Sequence, residues 1–425
     1  MTDHAHSDPA AVHPSAETSR RPHDLGHGFR ALHNPNYRRY WIGQIISITG
    51  TWMQTTAQGW LVLQITGSSL SLGTVAVLQF MPVTLFSLYG GVVADRLLKH
   101  RAMLITQSIL MMQAFVFGLL VALEVIQLWH IYLLAVVQGL VNALDVPVRQ
   151  SFSVEMVGHD DLPNAIALNS MVFNTARIVG PSLAGIIIDQ IGIAPALWLN
   201  AASFVAVLIA LLRMDTSVLH TATRATTGSA AKRLKEGVSY AWHTPAILGI
   251  LIPVAAIGTF GYNYSVMLPL LAKFVLKTSA TGFGSLGSFV GIGSLLAAVA
   301  TAYVSQITMR RLLIGAGAFS LFFGLVALSN VYVLSALFLM AMGFAGVTFA
   351  SSSNTLLQLY APDDMRGRIM SLHVLLFMGS TPVGSFFIGA MSDAVGVQMT
   401  LFVCAVLCLV GTLGAVRYYR QPHPA

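Results

Sequence analysis

The stretch Gly91-Val92-Val93-Ala94-Asp95-Arg96-Leu97-Leu98-Lys99-His100-Arg101 sets four charges between two long apolar runs. The run before it, at 70–94, and the run after it, at 101–123, each exceed twenty residues. About twenty residues of helix cross a hydrocarbon core of ~30 Å. Lipid offers no partner to an open backbone group, so each run must close its own hydrogen bonds as helix. The rest of the chain repeats this pattern: 55% of its residues are hydrophobic and 9% charged, against roughly 25% charged in a soluble domain. These observations predict an all-α membrane protein.

Working outward from that loop, spans are expected at 41–65, 70–94, 101–123, 128–148, 164–189 and 193–213. A polar stretch follows, then spans at 246–272, 281–305, 312–330, 332–358, 369–392 and 397–417. The expected organisation is a disordered cytoplasmic tail over 1–40, a six-helix half over 41–213, and a cytoplasmic linker over 214–245. A second six-helix half over 246–418 and a short cytoplasmic tail over 419–425 complete it. Placing both termini in the cytoplasm puts twenty of the twenty-three Lys and Arg residues inside, leaving Lys273 and Lys277 outside and Arg177 within the bilayer. That asymmetry is the positive-inside pattern. The net charge of +7 is therefore a topology signal, and no nucleic-acid partner is implied. Cys404 and Cys408 lie in the last apolar run and read as packing residues. His4, His6, His13, His23, His27 and His33 are irregularly spaced, which suits a solvated tail better than a metal site; no cleavable signal peptide is visible. In the linker, Leu234, Val238, Ala241 and Trp242 recur at helical spacing beside Lys232, Arg233 and Lys235. A short amphipathic helix is expected there, lying on the inner leaflet or packed on the protein's own surface.

The two halves repeat. Gly185, Asp189 and Gly192 at the end of the fifth run recur as Gly389, Asp393 and Gly396 at the end of the eleventh, 204 residues on. Acidic pairs precede both runs, Asp160-Asp161 and Asp363-Asp364. Duplicated halves of this kind hold a solute between them near mid-membrane.

In the opening stretch, Gly91, Asp95, Arg96, Lys99 and Arg101 resemble the signature loop of the major facilitator superfamily, with Leu98 where a second glycine is usual. Arg177-Ile178-Val179-Gly180-Pro181-Ser182-Leu183-Ala184-Gly185 is similar to its export-associated segment, with Ala184 replacing a glycine. Asn142 to Gln150, Leu162 to Ala165 and Arg366 to Ser371 resemble the bacterial branch that includes the enterobactin exporter. The resemblance implies the twelve-helix, two-half major facilitator fold. It further implies a cytoplasmic latch centred on Asp95, and a bending element at Gly180, Pro181 and Gly185. A plain topology-setting loop would need neither Gly91 nor Asp95.

Polar residues are costly in lipid and mark a water-facing path. On the first run Gln44, Ser47, Thr51, Gln54, Thr55 and Gln58 form one stripe. Gln138, Asn142, Asp145 and Arg149 mark the fourth run, Tyr262 and Asn263 the seventh, and Ser351, Asn354 and Gln358 the tenth. The family resemblance assigns the cavity to these same four helices. On the fifth run Ser170, Asn174 and Arg177 share a face. Arg177 sits thirteen residues beyond Asn164, about 20 Å along the helix. At that depth it binds an anionic substrate or pairs with a coupling carboxylate; a structural pair with Asp145 or backbone carbonyls is the plainer alternative. Asp145 and its i+4 neighbour Arg149 are the coupling candidates besides Arg177, while Glu124, Asp189 and Asp393 read as interfacial. Proton coupling rests on the resemblance.

No nucleophile–base pair, metal-ligand cluster or phosphate-binding glycine loop occurs in the spans, so neither catalysis nor a cofactor is expected. The reading is a monomeric secondary transporter of the bacterial inner membrane that exports a small siderophore- or drug-like molecule. An importer on the same fold and a transport-inactive sensor are the alternatives.

Overall fold

The computed structural model describes residues 25–94, 97–220, 230–304 and 306–420, and among them there is no strand. The helices, in order, are α1 (Pro35–Thr66), α2 (Ser69–Ala94), α3 (Lys99–Ala122), α4 (Leu128–Ile191), α5 (Ile193–Leu212), α6 (Ala230–His243) and α7 (Pro245–Phe260). They continue as α8 (Tyr264–Leu270), α9 (Ala280–Ala302), α10 (Met309–Leu328), α11 (Tyr332–Tyr360), α12 (Asp363–Phe377), α13 (Thr381–Val395) and α14 (Val397–Arg420).

Among the described residues, nine helices are long and apolar enough to cross a membrane, or ten if the bent pair at 235–260 counts as one span. The departures from the expected map have local causes. Helix α4 has 64 residues, about 96 Å if straight, and is broken at Gly158, where φ is 73° and ψ −179°. Glycine alone takes that conformation without strain, so α4 is broken into two limbs on either side of Gly158, where two separate runs were expected at 128–148 and 164–189. Helix α1 falls short in hydropathy because its polar stripe dilutes it. The expected unbroken run at 246–272 is interrupted between α7 and α8. There the Asn263 side chain donates to Thr259 O (2.6 Å) and accepts from Ser385 Oγ (2.9 Å), covering groups a break would strand in lipid.

The expected tail over 1–40 is corrected in its second part. A 3₁₀ segment, Leu25–His33, precedes α1, and Ala31, Tyr37 and Tyr40 are wholly buried. Asn34 caps α1 by accepting from the N–H groups of Asn36 and Tyr37, with Pro35 in the first helical turn. Polar composition hid this anchor because it is held by caps and cross-links: Asn34 Nδ2 donates to Met156 O (2.6 Å) and Arg30 pairs with Asp161 (2.8 Å). Residues 1–24, 221–229 and 421–425 lie outside the described residues.

Within the first half α1 packs on α4 and α5, and α3 on α4 and α5; within the second, α11 packs on α9 and α10, and α14 on α7 and α10. Two long seams join the halves: α2 against α13, and α4 against α9. One rim carries the short connections, among them 67–68, 123–127, 276–279, 329–331 and Gly396; we call it the hairpin rim. The opposite, linker rim carries 97–98, Gly158 and α6. Glu236 of α6 pairs with Arg368 at 3.2 Å, and a Cβ on Gly237 would stand 3.1 Å from Arg368 O. The α6 face opposite this contact bears exposed Val238 and Trp242.

Candidate functional site: the seam between the halves

The two seams are built alike, residue for residue. A Cβ on Gly185 would lie 2.4 Å from Ala280 O, and one on Gly389 would lie 2.8 Å from Ser69 O. One on Gly284 would meet Pro181 O at 2.1 Å, and one on Gly73 would meet Ser385 O at 2.6 Å. Pro181 and Ser385 stand 204 residues apart, as do Gly185 and Gly389. In lipid, apolar burial does not drive helices together, so such backbone approach through small residues is what holds them.

Each seam ends at the hairpin rim in a carboxylate set on the other half's helix N-terminus. Asp189 accepts from the N–H groups of Ala280 (3.1 Å) and Thr281 (2.8 Å) at the start of α9. Asp393 accepts from the N–H groups of Ser69 (2.7 Å) and Leu70 (3.2 Å) and the Ser68 hydroxyl (2.7 Å) at the start of α2. A helix N-terminus carries unpaired N–H donors and partial positive charge, so both contacts are favourable in polarity as well as geometry. A third clasp reverses the signs: Lys273 Nζ donates to Leu63 O (2.6 Å), near the end of α1. Trp60 of α1 stacks on Phe283 of α9 with centroids 5.8 Å apart.

Deeper in the α4–α9 seam, Ser182 and Ser288 share a hydrogen bond of 2.6 Å, and Ser288 donates to Ile178 O. Arg177 follows; its Nη2 donates to Ser294 Oγ while its buried Nε has no partner. Among the described residues no carboxylate lies within ion-pair distance of Arg177. Tyr262 and Tyr264 are near enough to feel its charge. The cross-half hydrogen bonds described here all lie between the hairpin rim and this depth.

Asp145 is engaged elsewhere. Only 1% exposed, it accepts from Thr106 Oγ1 (2.6 Å), Gln107 Nε2 (2.8 Å) and Arg149 Nε (3.1 Å), with Arg149 Nη2 as a fourth donor. Arg149 also donates to Gln44 Oε1. Gln44, Asp145 and Arg149 thus form one closed knot inside the first half, and the expected pairing of Arg177 with Asp145 does not occur. Gln54 also turns inward, donating to Gln113 Oε1 (3.1 Å) and accepting from Asn200 Nδ2 (2.7 Å). Its place on the stripe reflected a buried three-helix network, not a water path. Asn263 serves the α7–α8 break described above.

Of the remaining path residues, Gln58 is buried beside Thr55, Gln79 and Ser265 in a small cavity between the halves. Gln138 is buried with its Oε1 unpartnered, and Asn142 is half-buried on the same limb. Asn174 donates back to Ser170 O, and Asn354 accepts from Gln358 Nε2 at 2.6 Å. Tyr262 stacks on Phe319 (5.5 Å) and touches Phe377 and Tyr264. A larger groove, about 350 Å³, lies between α3 and the first limb of α4. It is lined by apolar side chains such as Ile109 and Met112, both exposed away from the seams.

Asp95 and Arg96, the centre of the expected latch, lie outside the described residues, and Gly91 is helical within α2. Lys99 pairs with Glu155 of its own half at 2.8 Å, and Arg101 is exposed. Nearby, Ser217 donates its N–H and hydroxyl to Asp215, holding that carboxyl below its usual range. Gly180 abuts α1 at Trp52 and Thr49, while Pro181 and Gly185 abut α9. Sequence reasoning did not assign Ser288, Ser294, Lys273 or the clasping of Asp189 and Asp393. The repeated Gly-x-x-x-Asp spacing was the available signal for the last two.

Two halves related by a repeat and clasped to each other along one rim are the build of a transporter. Residues 27–423 match the family profile described as transmembrane secretion effector. The chain belongs to that family, a branch of the major facilitator superfamily. Among its relatives is the multidrug efflux pump Tap of Mycolicibacterium fortuitum, 26% identical over 386 residues, which cover 87% of this chain and 92% of Tap. The staphyloferrin A transporter of Staphylococcus aureus is 24% identical, covering 86% of this chain and 91% of its own. The enterobactin exporter EntS of Escherichia coli is 24% identical over 92% of this chain and 95% of its own. In fold, the chain matches the nucleoside transporter NupG (TM-score 0.70, 14% identity, 91% of this chain and 100% of that one). A bacterial homologue of ferroportin in an inward-facing state matches similarly (TM-score 0.69, 15% identity, 91% and 99%). The chain is thus a multi-pass membrane protein of a small-molecule transporter family.

Proposed function

We propose that this protein exports a small organic molecule, siderophore- or drug-like, across the bacterial inner membrane by alternating access. It works as a proton-coupled monomer with twelve spans and both termini in the cytoplasm. The observation that carries the reading is the matched pair of seams clasped, among the described residues, toward the hairpin rim. The linker rim has the excess of Lys and Arg and therefore faces the cytoplasm. The structure is then the state that loads cargo from inside. Arg177 stands at the inner end of the closed seam with no carboxylate partner, so it is the anchor for an anionic group on the cargo. Tyr262 and Tyr264 supply an aromatic wall beside it. No catalytic constellation is part of this account. The names of Tap, the staphyloferrin A transporter and EntS support the export of siderophores or drugs without choosing among them.

Accumulation of a labelled catecholate siderophore and of a cationic dye in cells tests the reading. Expression of the protein lowers accumulation of at least one of them, and Arg177→Ala restores it toward control. Raised accumulation would mean import; no change over a broad panel would remove the transport claim.

A further inference from the structure

Three carboxylates among the described residues are committed. Asp145 is saturated by four donors, and Asp189 and Asp393 clasp helix ends. His373 is not committed. It stands ten residues into α12, about 15 Å from the linker rim, is 7% exposed, and lies with its ring on Phe377 (5.7 Å, 21°). Its Nε2 meets Ser353 Oγ at 3.2 Å, and its Nδ1 is buried with no partner.

The Ser353 hydroxyl also lies 2.9 Å from Ala350 O. With its hydrogen on Ala350 O, the serine oxygen accepts from Nε2 of neutral His373, which leaves the Nδ1 lone pair bare. A bare, buried base is costly for folding alone, and imidazole is the side chain that gains and loses a proton near neutral pH. The charges around it are few. Helix α12 packs on α6, α7 and α11. Helix α7 has no titratable residue and α11 only Tyr332 and Tyr360 at its ends, while α6 brings Lys235, Glu236, Tyr240 and His243 to the rim. Asp363, Asp364, Arg366 and Arg368 occupy the rim end of α12 itself, and Tyr262 is reached only through Phe377. Toward the linker rim on α11, exposed Gln358 donates to Asn354, which follows Ser353 in the sequence.

We propose that His373 Nδ1 is the proton-carrying site of this transporter, loaded and emptied from the linker rim. The inference rests on the transport reading above. One proton adds to Nδ1 to give the imidazolium and leaves by the same atom; no other bond changes. Phe377 and Tyr262 join the ring to the aromatic cluster of the second half.

Proteoliposomes separate the possibilities, with a labelled catecholate siderophore as cargo and pyranine as the proton probe. Wild-type protein shows counterflow with no gradient, and net flux rises about tenfold under an imposed pH gradient. His373→Gln keeps counterflow within about twofold but loses that acceleration and the pyranine signal. A wild-type protein with counterflow but indifferent to the gradient, or His373→Gln that responds as wild type does, overturns the inference and leaves transport standing. Absent wild-type counterflow removes the transport reading and this inference with it. Should His373→Gln lose counterflow as well, Ser353→Ala decides. It deletes the acceptor that favours the imidazolium most, so the pH midpoint of net flux moves down while its maximum is kept. An unmoved midpoint overturns the inference.

Discussion

The hairpin rim and the linker rim are both dense in polar contacts, but they are tied differently. At the hairpin rim Asp189, Asp393 and Lys273 all reach across to the opposite half, and each ends on a helix terminus. At the linker rim Lys99–Glu155, Arg30–Asp161 and Arg366–Asp363 each stay within one half. Intra-half pairs survive any rocking of one half on the other. Contacts onto helix ends across a seam must break whenever that rim opens. The first set builds the halves and the second sets their equilibrium.

This contrast can be broken most severely by sterics. Gly284→Val places a branched side chain where even a Cβ would lie 2.1 Å from Pro181 O, so the α4–α9 seam cannot close. Transport should fall by two orders of magnitude or more while the protein still folds, and a cysteine at Ser288 should become reactive from the hairpin side. Unchanged flux would mean that the seam does not cycle. Next in size is Arg177→Ala, which removes the cargo anchor without touching either rim. Transport of anionic cargo should drop by roughly tenfold to a hundredfold, about 1.4–2.8 kcal/mol, with the hairpin rim still closed by cysteine labelling.

The clasps are worth less individually. A carboxylate on a helix N-terminus contributes about 0.3–1 kcal/mol, and up to ~2 in a partly buried setting. Asp393→Asn and Asp189→Asn should each shift the open-to-closed ratio about twofold to fivefold, equally because the seams are copies. A strongly unequal pair of effects would show that one seam dominates. Lys273→Met should have the smallest effect, about twofold, since a single ammonium-to-carbonyl bond is lost.

How much of this was legible in the sequence follows from what a sequence can encode. Run lengths mark the helices and the sorting of Lys and Arg predicts their sidedness, so the fold could be read from the loop at Asp95 outward. A polar residue on a helix face gives no address for its partner. Gln54 and Asn142 stand on comparable stripes, yet one closes a buried network with Gln113 and Asn200 and the other is half-buried. The Gly-x-x-x-Asp repeat was visible at 185–189 and 389–393, but Asp189 and Asp393 looked interfacial because their partners are backbone N–H groups, which no residue type announces. His373 escaped notice for a related reason: one histidine in an apolar run has no pattern, and its free Nδ1 is apparent only once Ser353 and Ala350 are placed.

The account turns on the hairpin rim being the closed gate that the paired carboxylates hold. Spin labels at Val125 and Val331, both exposed on that rim and on opposite halves, report its opening by double electron–electron resonance. Wild-type protein should show one dominant short distance, and the Asp189→Asn/Asp393→Asn double variant should add a clearly populated longer one. Identical distance distributions in the two proteins would contradict the account.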